Sequence, residues 1–336
     1  MISIVIPAYN AEKTLGTCLD SLEKQSIARE EYEIIVVDDG SDDSTSRTAS
    51  AYNALVIRQA HRGPGAARNN GARVARGDIL LFTDADCVPT PDWVERMLEC
   101  FAEPDVVGVK GTYRTRQRGL VARFIQQEFE DKYSRTRCCH SIDFVDAYSA
   151  AYRREVFRHA GGFDEGFRLA EDVEFSYRLA ALGYRMVFQP EAVVYHNHAE
   201  SIGVYVRKKF WSAYWRSQAY RRFPSKALRD STTPRVLYVQ MPLAMLLLAS
   251  AVGLPIWSEA VAALLGAGLG FIGSTAPFVA RSWGRDRAAT IAAPPLLLTR
   301  ALALSAGLVT GVLAVGWAKL SERHVVAAPG WFCRNH

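Results

Sequence analysis

The stretch EIIVVDDGS, residues 33–41, is an apolar run that ends in two aspartates and a glycine. The run has no polar alternation, which is typical of a strand buried on both faces. On either side of it, short apolar runs alternate with helical patterns over residues 1–91: ISIVIP, AEKTLGTCLDSLEKQS, ALVIRQ, GAARNNGARVA and DILLFTDAD. Strands that alternate with helices of about 10–15 residues indicate a mostly parallel sheet covered by helices. We therefore predict an α/β fold.

Polar clusters follow three of the predicted strands. They are PAYN at 7–10, DDGS at 38–41 and TDAD at 83–86. Ligands of open α/β sheets bind beyond the carboxyl ends of the strands. We therefore expect the three clusters to meet at one edge of the sheet and to form the ligand site.

Asp84 and Asp86 are the most informative pair in these clusters. In a strand, residues two apart point to the same side, so both carboxylates would face one spot. A divalent cation with oxygen ligands, Mg²⁺ or Mn²⁺, would remove their mutual repulsion. The alternative is ordinary turn chemistry, because aspartates are favoured after strands. The spacing alone does not decide between the two.

Arg68 lies in the glycine-rich stretch GPGAARNNG, which leads into a helical pattern. A cation and free backbone N–H groups at a helix start suit a diphosphate. The alternative is a solvated surface arginine.

The C-terminal third is strongly apolar. Residues 236–280 contain no Lys, Arg or Asp, and their only charged residue is Glu259. This interval accommodates two spans, 236–256 and 260–280, of the roughly 20 residues that cross a bilayer as a helix. A third candidate span is 301–318. Gly266 with Gly270, and Gly307 with Gly311, are spaced so that helices could approach each other closely.

The segment 203–235 is basic and aromatic, with nine cations and the interleaved aromatics Phe210, Trp211, Tyr214 and Trp215. Cations and aromatics beside an apolar hairpin indicate a membrane interface on the cytoplasmic side rather than nucleic-acid binding. Met1 leads directly into a predicted strand, with no secretory signal before it. We therefore predict a catalytic domain at 1–202, an interface segment at 203–235 and a membrane region at 236–336. The localisation expected is the cytoplasmic (inner) membrane, multi-pass, with the catalytic domain in the cytoplasm.

Six motifs occur in a familiar order: SIVIPAYN, VVDDGSDDST, GPGAARNNG, TDADCVP, GGFDE with EDVEFSYRLAALGYR, and VVYHNH. Over residues 2–200 they resemble the inverting glycosyltransferases of family 2, which have the GT-A fold and use nucleotide-diphosphate sugars. The resemblance implies a GT-A mixed, mostly parallel sheet. Residues 1–91 would bind the nucleotide sugar and 92–202 would form the acceptor side.

The resemblance also implies roles for individual residues. Pro7, Tyr9 and Asp39 would line the base and ribose. Arg68 would meet the diphosphate, and Asp84 the nucleotide side of the donor. Asp86 would bind the metal, either Mn²⁺ or Mg²⁺, and His196 would be a further ligand. His198, two residues on, is an open alternative for that role.

Asp172 matches the family's catalytic base, with Glu171 in support. A carboxylate there would take the proton of an acceptor hydroxyl, which is typically worth ~10²–10⁴ in rate. The alternative is that both acidic residues complement the dipole of a helix in its first turn.

The function expected is metal-dependent, inverting transfer of one sugar from a nucleotide-diphosphate sugar, UDP- rather than GDP-linked. The acceptor would be lipid-linked or a glycan at the membrane, as in cell-envelope polysaccharide biosynthesis, with no nucleic acid involved. One alternative is a processive polysaccharide synthase, but its Q-x-x-R-W motif appears here only as QAYRR, residues 218–222. The other is a non-catalytic membrane scaffold with a degenerate transferase domain.

Overall fold

The structure is a computed structural model that describes residues 1–320, apart from Thr232 and Trp257. Residues 321–336 of the predicted membrane region lie outside it. The described strands are β1 (Ile2–Ala8), β2 (Tyr32–Asp38), β3 (Leu55–Arg58), β4 (Ile79–Thr83), β5 (Val88–Pro89), β6 (Val106–Arg114), β7 (Ser149–Arg153) and β8 (Arg185–Tyr195).

Helices alternate with the strands in the first two thirds of the described chain and then continue without them. They are α1 (Leu15–Leu22), α2 (Thr45–Ser50), α3 (Pro64–Val74), α4 (Trp93–Glu99), α5 (Leu120–Thr136), α6 (Arg154–His159), α7 (Glu171–Ala181), α8 (Ile202–Arg222), α9 (Leu237–Gly253), α10 (Ala260–Ser282), α11 (Arg287–Ile291) and α12 (Ala293–Leu320).

The strands form one mixed sheet in the order β3-β2-β1-β4-β7-β6-β8-β5. β1, β2, β3 and β4 are parallel to their neighbours within that group, as is β6 to β8. β7 runs antiparallel to both β4 and β6, and β5 runs antiparallel to β8. The predicted α/β architecture with a mixed, mostly parallel sheet is confirmed.

Two apolar layers cover the faces of the sheet. One contains inward residues of β1 with α1 and α4, among them Ile4, Leu19 and Trp93. The other contains Val5 and Phe82 with residues of α3, α6 and α7. Ile4 and Val5 therefore face opposite layers, which is why the strand sequence is apolar throughout.

Two described helices are long and apolar enough to cross a membrane, α10 and residues 293–314 of α12. α9 has 17 residues, about 26 Å of helix against a hydrocarbon core of about 30 Å. Large apolar side chains of all three are exposed, including Val239, Leu246, Leu248, Val252, Leu265, Leu269, Ile272, Val309 and Leu313. An exposed apolar surface of this size is typical of a membrane or protein contact.

Ion pairs on α5 join the sheet domain to the apolar helices. Arg300, near the start of α12, donates to Glu128 at 2.8 Å, and both side chains are 8% exposed. Arg281 at the end of α10 donates to Asp131 at 2.5 Å, and Asp286 accepts from Arg123 at 2.7 Å. The start of α12 therefore packs on protein rather than lipid. Of the three pairs only Arg300–Glu128 is buried on both sides, and removing one partner of such a pair leaves an uncompensated buried charge.

α12 also packs closely on α8 through two glycines. A Cβ at Gly307 would lie 2.1 Å from the Phe210 carbonyl oxygen, and one at Gly311 would lie 2.7 Å from the Tyr214 carbonyl oxygen. By contrast, a Cβ at Gly266 would meet nothing within 4 Å. Gly307 and Gly311 thus give the close helix approach expected from their spacing, whereas Gly266 makes no such contact.

Replacing Gly307 with alanine should lower the thermal midpoint of the detergent-solubilised protein. The new methyl group would overlap backbone, and overpacking typically costs about 1–3 kcal/mol. Gly266→Ala is the matched control, because alanine favours a helix by about 1 kcal/mol and finds open space there. Equal midpoints for the two variants would contradict the close contact between α8 and α12.

Candidate active site

The three polar clusters meet at the carboxyl edge of the sheet, as predicted from the strand ends. The Asp39 N–H donates to the Ala8 carbonyl at 2.8 Å, and the Asn10 N–H donates to Ser41 Oγ at 3.0 Å. Cys18 on α1 lies 3.6 Å from the Asp84 carbonyl oxygen. The ends of β1, β2 and β4 therefore form one continuous rim.

Asp39 holds the loop that leads into α3. It is 2% exposed. Its Oδ1 atom accepts from the Arg62 N–H at 2.9 Å and from Gln59 Nε2 at 2.7 Å, and its Oδ2 atom accepts from the Gly63 N–H at 2.8 Å. The carboxylate thus positions the start of α3. Its contact with a nucleotide stays a prediction.

Tyr9 lies beside His61, an aromatic partner that no motif of the sequence indicates. Its ring centroid is 4.2 Å from that of His61, with 33° between the planes, and His61 Nδ1 is 2.9 Å from Asp39 Oδ2. Pro7 is buried within β1. The structure therefore brings Tyr9 and Asp39 together through His61, whereas Pro7 is buried in β1 two residues before Tyr9.

Arg68 is buried rather than solvated, with 4% of its surface exposed. Its Nη2 atom donates to Asp84 Oδ1 at 2.6 Å and its Nη1 atom donates to Glu171 Oε1 at 2.5 Å. The surface-arginine alternative does not fit this position. Arg68 bridges the two halves of the rim and fixes Asp84, while its contact with a diphosphate stays a prediction.

Asp86 lies next to His196, which follows β8. His196 Nε2 is 2.7 Å from Asp86 Oδ2, and the Cys87 thiol completes a group whose ligand atoms lie within 4.8 Å of one another. Within the described residues, the buried Nδ1 atom of His196 has no hydrogen-bond partner. A carboxylate and an imidazole side by side are able to bind a divalent cation, and the nitrogen donor suits Mn²⁺ better than Mg²⁺.

His198 points elsewhere. Its Nε2 atom is 3.0 Å from Gln126 Oε1, and its ring stacks on Phe129 at 5.3 Å. Burial, assisted by the charge of His196, lowers the pKa of His198 to about 3. Of the two histidines that the sequence left open, His196 is therefore the one beside Asp86.

Asp172 lies in the first turn of α7, facing the segment between α5 and β7. Its Oδ2 atom accepts from the Ala147 N–H at 3.2 Å and its Oδ1 atom accepts from the Val173 N–H at 2.8 Å. Ala170, before the helix, has a left-handed φ of 64°, a costly conformation that is enriched at functional sites. Asp172 is partly accessible, so a role at the acceptor side and a role at the helix start are both compatible with its position.

Glu171 differs from Asp172 in its surroundings. It is 6% exposed. Burial raises its pKa to about 7, and the neighbouring Asp172 adds to this while Arg68 opposes it. Its carboxylate faces Arg68, which makes Glu171 a support for the Arg68–Asp84 contact.

The chain is similar in sequence to known glycosyltransferases. Residues 3–161 match the family model of glycosyl transferase family 2. Glycosyltransferase AglE of Haloferax volcanii is 28% identical over 221 residues, 62% of this chain and 70% of that protein. The pre-mycofactocin glycosyltransferase of Mycobacterium tuberculosis is 28% identical over 286 residues, 79% of this chain and 56% of that protein. The chain thus spans little more than half of the mycobacterial relative.

Solved structures of low sequence identity share the fold. A mannosyltransferase from Pyrobaculum calidifontis, solved with GDP-Man and Mn²⁺, aligns with a TM-score of 0.56 and 22% identity over 96% of this chain and 88% of that one. Residues 1–349 of TarS from S. aureus align with a TM-score of 0.50 and 20% identity over 97% and 93%. These likenesses identify the fold as GT-A-like.

Proposed function

We propose that this chain, which carries a glycosyl transferase family 2 domain at residues 3–161, is a metal-dependent inverting glycosyltransferase. It moves one sugar from a nucleotide-diphosphate sugar to a lipid-linked or membrane-associated acceptor. The observation that carries this proposal is the 2.7 Å approach of His196 to Asp86, beside Asp84 at the carboxyl edge of the sheet. This edge is where α/β sheets bind their ligands.

Asp86 and His196 are the residues that would hold the metal. Their donor atoms are already adjacent, and the mixed oxygen and nitrogen set favours Mn²⁺ over Mg²⁺. When bound, a divalent cation there would neutralise charge on the leaving nucleoside diphosphate. Asp84, held by Arg68 at 2.6 Å, faces the same edge and would orient the donor.

The remaining rim residues divide between donor and acceptor. Tyr9, His61 and Asp39 form the wall on the β1–β2 side, which would take the base and ribose above the buried Pro7. Asp172 lies on the β7–α7 side, where it would accept the proton of an acceptor hydroxyl. The exposed apolar faces of α9, α10 and α12 support a membrane location. The basic residues of α8 would then place the catalytic domain on the cytoplasmic side.

A thermal-shift screen of the full-length protein in detergent tests this proposal. UDP-sugars come first, and GDP-sugars are the second set because the Pyrobaculum mannosyltransferase was solved with GDP-Man. A ligand at ~100 times its dissociation constant adds about 2.7 kcal/mol of stability. We expect one nucleotide to stabilise the protein only when Mn²⁺ or Mg²⁺ is present. The absence of a shift with every combination would overturn the proposal.

The two histidines should differ in their effect on metal affinity. We expect His196→Gln to weaken Mn²⁺ binding at least about tenfold, since even outer residues of metal sites are worth 10–100-fold. His198 contacts Gln126 rather than Asp86. His198→Gln should therefore leave Mn²⁺ affinity within about twofold. A Mn²⁺ titration followed by electron paramagnetic resonance measures both. A larger loss for His198→Gln would move the ligand role to that residue.

A further inference from the structure

Three arginines lie close together where β6 ends, in the stretch RTRQR at residues 114–118. Arg114, Arg116 and Arg118 are all exposed, and the guanidinium of Arg116 lies 4.1 Å from the centroid of the Tyr195 ring. Within the described residues none of the three arginines forms an ion pair with a carboxylate. We call residues 114–118 the arginine loop. It is a positively charged surface that the proposed donor site does not use.

Hydrogen bonds connect the arginine loop to the segment that carries His196. The His196 N–H donates to the Arg114 carbonyl oxygen at 2.9 Å. Gln117 Oε1 accepts from the His198 N–H at 2.6 Å, and Gln117 Nε2 donates to the His198 carbonyl oxygen at 3.1 Å. Glu200, a carboxylate that contacts this loop, also accepts from Gln117 Nε2, at 3.0 Å. The position of the arginine loop is therefore linked to that of a candidate metal ligand.

The arginine loop leads into α5, whose first turns pack on the connection between the two candidate spans. Arg123 of α5 donates to both carboxylate oxygens of Asp286, at 2.7 and 2.5 Å, and Asp286 directly precedes α11. The Phe124 ring centroid is 5.9 Å from that of Phe278, near the end of α10. Because α10 and residues 293–314 are the candidate spans, the connection between them would lie at one surface of the membrane. The start of α5 and the arginine loop would then lie at the same surface.

Side chains suited to a membrane surface surround this junction. Trp283, just after α10, is 48% exposed, Leu120 at the start of α5 is 46% exposed, and Ile291 of α11 is 68% exposed. Arg285 and Arg287 are exposed as well. Tryptophan and cations beside the end of a span are typical of the lipid headgroup layer. A soluble acidic partner would not account for the large apolar side chains, so the combination favours a bilayer surface.

We propose that the arginine loop and the connection between α10 and α11 form one surface that binds the headgroups of anionic phospholipids. The inference rests on the membrane location in the proposed function and adds the lipid chemistry that the sheet domain contacts. Guanidinium groups match the geometry of phosphate oxygens, and an anionic membrane surface attracts each nearby arginine by about fivefold in affinity. The contact would hold the edge of the sheet that carries Asp86 and His196 against the bilayer, where the proposed membrane-associated acceptor lies.

Short-chain phosphatidylglycerol, added to the full-length protein in a neutral detergent at low salt, tests this surface by thermal shift. Wild-type protein should bind it more tightly than phosphatidylcholine of the same chain length, whose headgroup has no net charge. Arg116→Gln combined with Arg118→Gln should weaken phosphatidylglycerol binding about 25-fold, from about fivefold per arginine. Salt at about 1 M, where the Debye length is about 3 Å, should remove the preference for the anionic lipid.

Arg137→Gln combined with Arg158→Gln is the matched control, because it removes an equal charge from exposed positions at the far end of α5 and on α6. It should bind phosphatidylglycerol as the wild type does. Equal affinity in the two double variants, or equal binding of the two lipids by the wild type, would overturn the proposal. Glycerol 1-phosphate that binds as tightly as phosphatidylglycerol would assign the arginine loop to a soluble phosphate and overturn the lipid assignment. Thermal midpoints without lipid, which should agree among the three proteins, serve as the folding control.

Alkaline extraction of membranes tests the proposed membrane location separately. The wild type and both double variants should stay in the membrane pellet, because the spanning helices hold them there without the arginine loop. Release of the wild type by alkali would refute the spanning helices, whatever the lipid titration gives. Retention of all three proteins together with unchanged phosphatidylglycerol affinity in the Arg116→Gln, Arg118→Gln variant would refute the arginine loop alone.

Discussion

Replacing Asp86 with alanine should reduce turnover by about 10³-fold or more. Metal stabilisation of a leaving group is worth several kcal/mol, and each 1.36 kcal/mol is a factor of ten. His196 would keep its place beside the vacated position but would lose the carboxylate that lies 2.7 Å away. The measurements are sugar transfer at saturating donor and the metal-dependent thermal shift with the same nucleotide.

Asp105→Ala is the matched control for this experiment. Asp105 is an exposed carboxylate before the start of β6, where its partner is Arg185 at 3.0 Å, so it lies at the opposite end of the strand from the rim. It should keep wild-type turnover and the wild-type thermal shift. Wild-type turnover in purified Asp86→Ala would refute the metal-dependent mechanism.

The rim could be predicted from sequence because strand ends determine it. PAYN, DDGS and TDAD each follow an apolar run, and parallel neighbours bring their carboxyl ends to one edge. Since β1 pairs with both β2 and β4, the local pattern was sufficient. The adjacency of Asp86 and His196 depends on the β5–β8 pairing, which no local pattern shows, so it required the resemblance to known transferases.

The burial of Arg68 could not be predicted in the same way. Its partner Glu171 is 103 positions away, and both side chains look like surface charges when each is considered in its own helix. The pairing of Lys110 with Asp146, 36 positions along the chain, was missed for a similar reason. One local signal was present, however, because Lys110 interrupts the apolar run VVGVKGTY of β6, and a lysine in a buried strand requires a partner.

Composition alone predicts where the apolar helices lie, but not all of their bounds. The predicted span 260–280 corresponds to α10, whereas the predicted span 301–318 lies inside a longer helix that begins at Ala293. Pro294 and Pro295 are compatible with this helix, because proline is tolerated in the first turn, where its missing N–H is not needed. The charged Arg300 is tolerated within this apolar helix because it pairs with Glu128 of α5 at 2.8 Å.

Replacing Arg68 with methionine should destabilise the protein by about 3–5 kcal/mol, the usual cost of removing one partner from a buried ion pair. Glu171 would remain buried without its cation, and Asp84 would lose the donor that fixes it. We therefore expect a lower thermal midpoint together with weaker binding of the nucleotide sugar. Arg73→Met on the same helix is the control, since Arg73 is exposed and its guanidinium donates to the neighbouring Asn70.

The loss should also depend on pH in a direction that Glu171 sets. Its pKa in the folded protein is already raised to about 7 by burial, and removing Arg68 raises it further. A carboxyl whose pKa is higher when folded binds more protons in the folded state, so its stability contribution is full below its unfolded pKa and falls as pH rises. Thermal midpoints of Arg68→Met should thus approach the wild-type value near pH 5 and diverge from it at pH 8.

Adding Glu171→Gln to Arg68→Met separates the buried charge from the lost packing. The double variant has no carboxylate left unpaired at position 171, so part of the stability lost at pH 8 should return and the pH dependence should flatten. Nucleotide-sugar binding should stay weak, because Asp84 still lacks its donor. A double variant as unstable as Arg68→Met at pH 8 would show that Glu171 is not the source of the loss. Full recovery of donor binding would show that Arg68 does not act through Asp84.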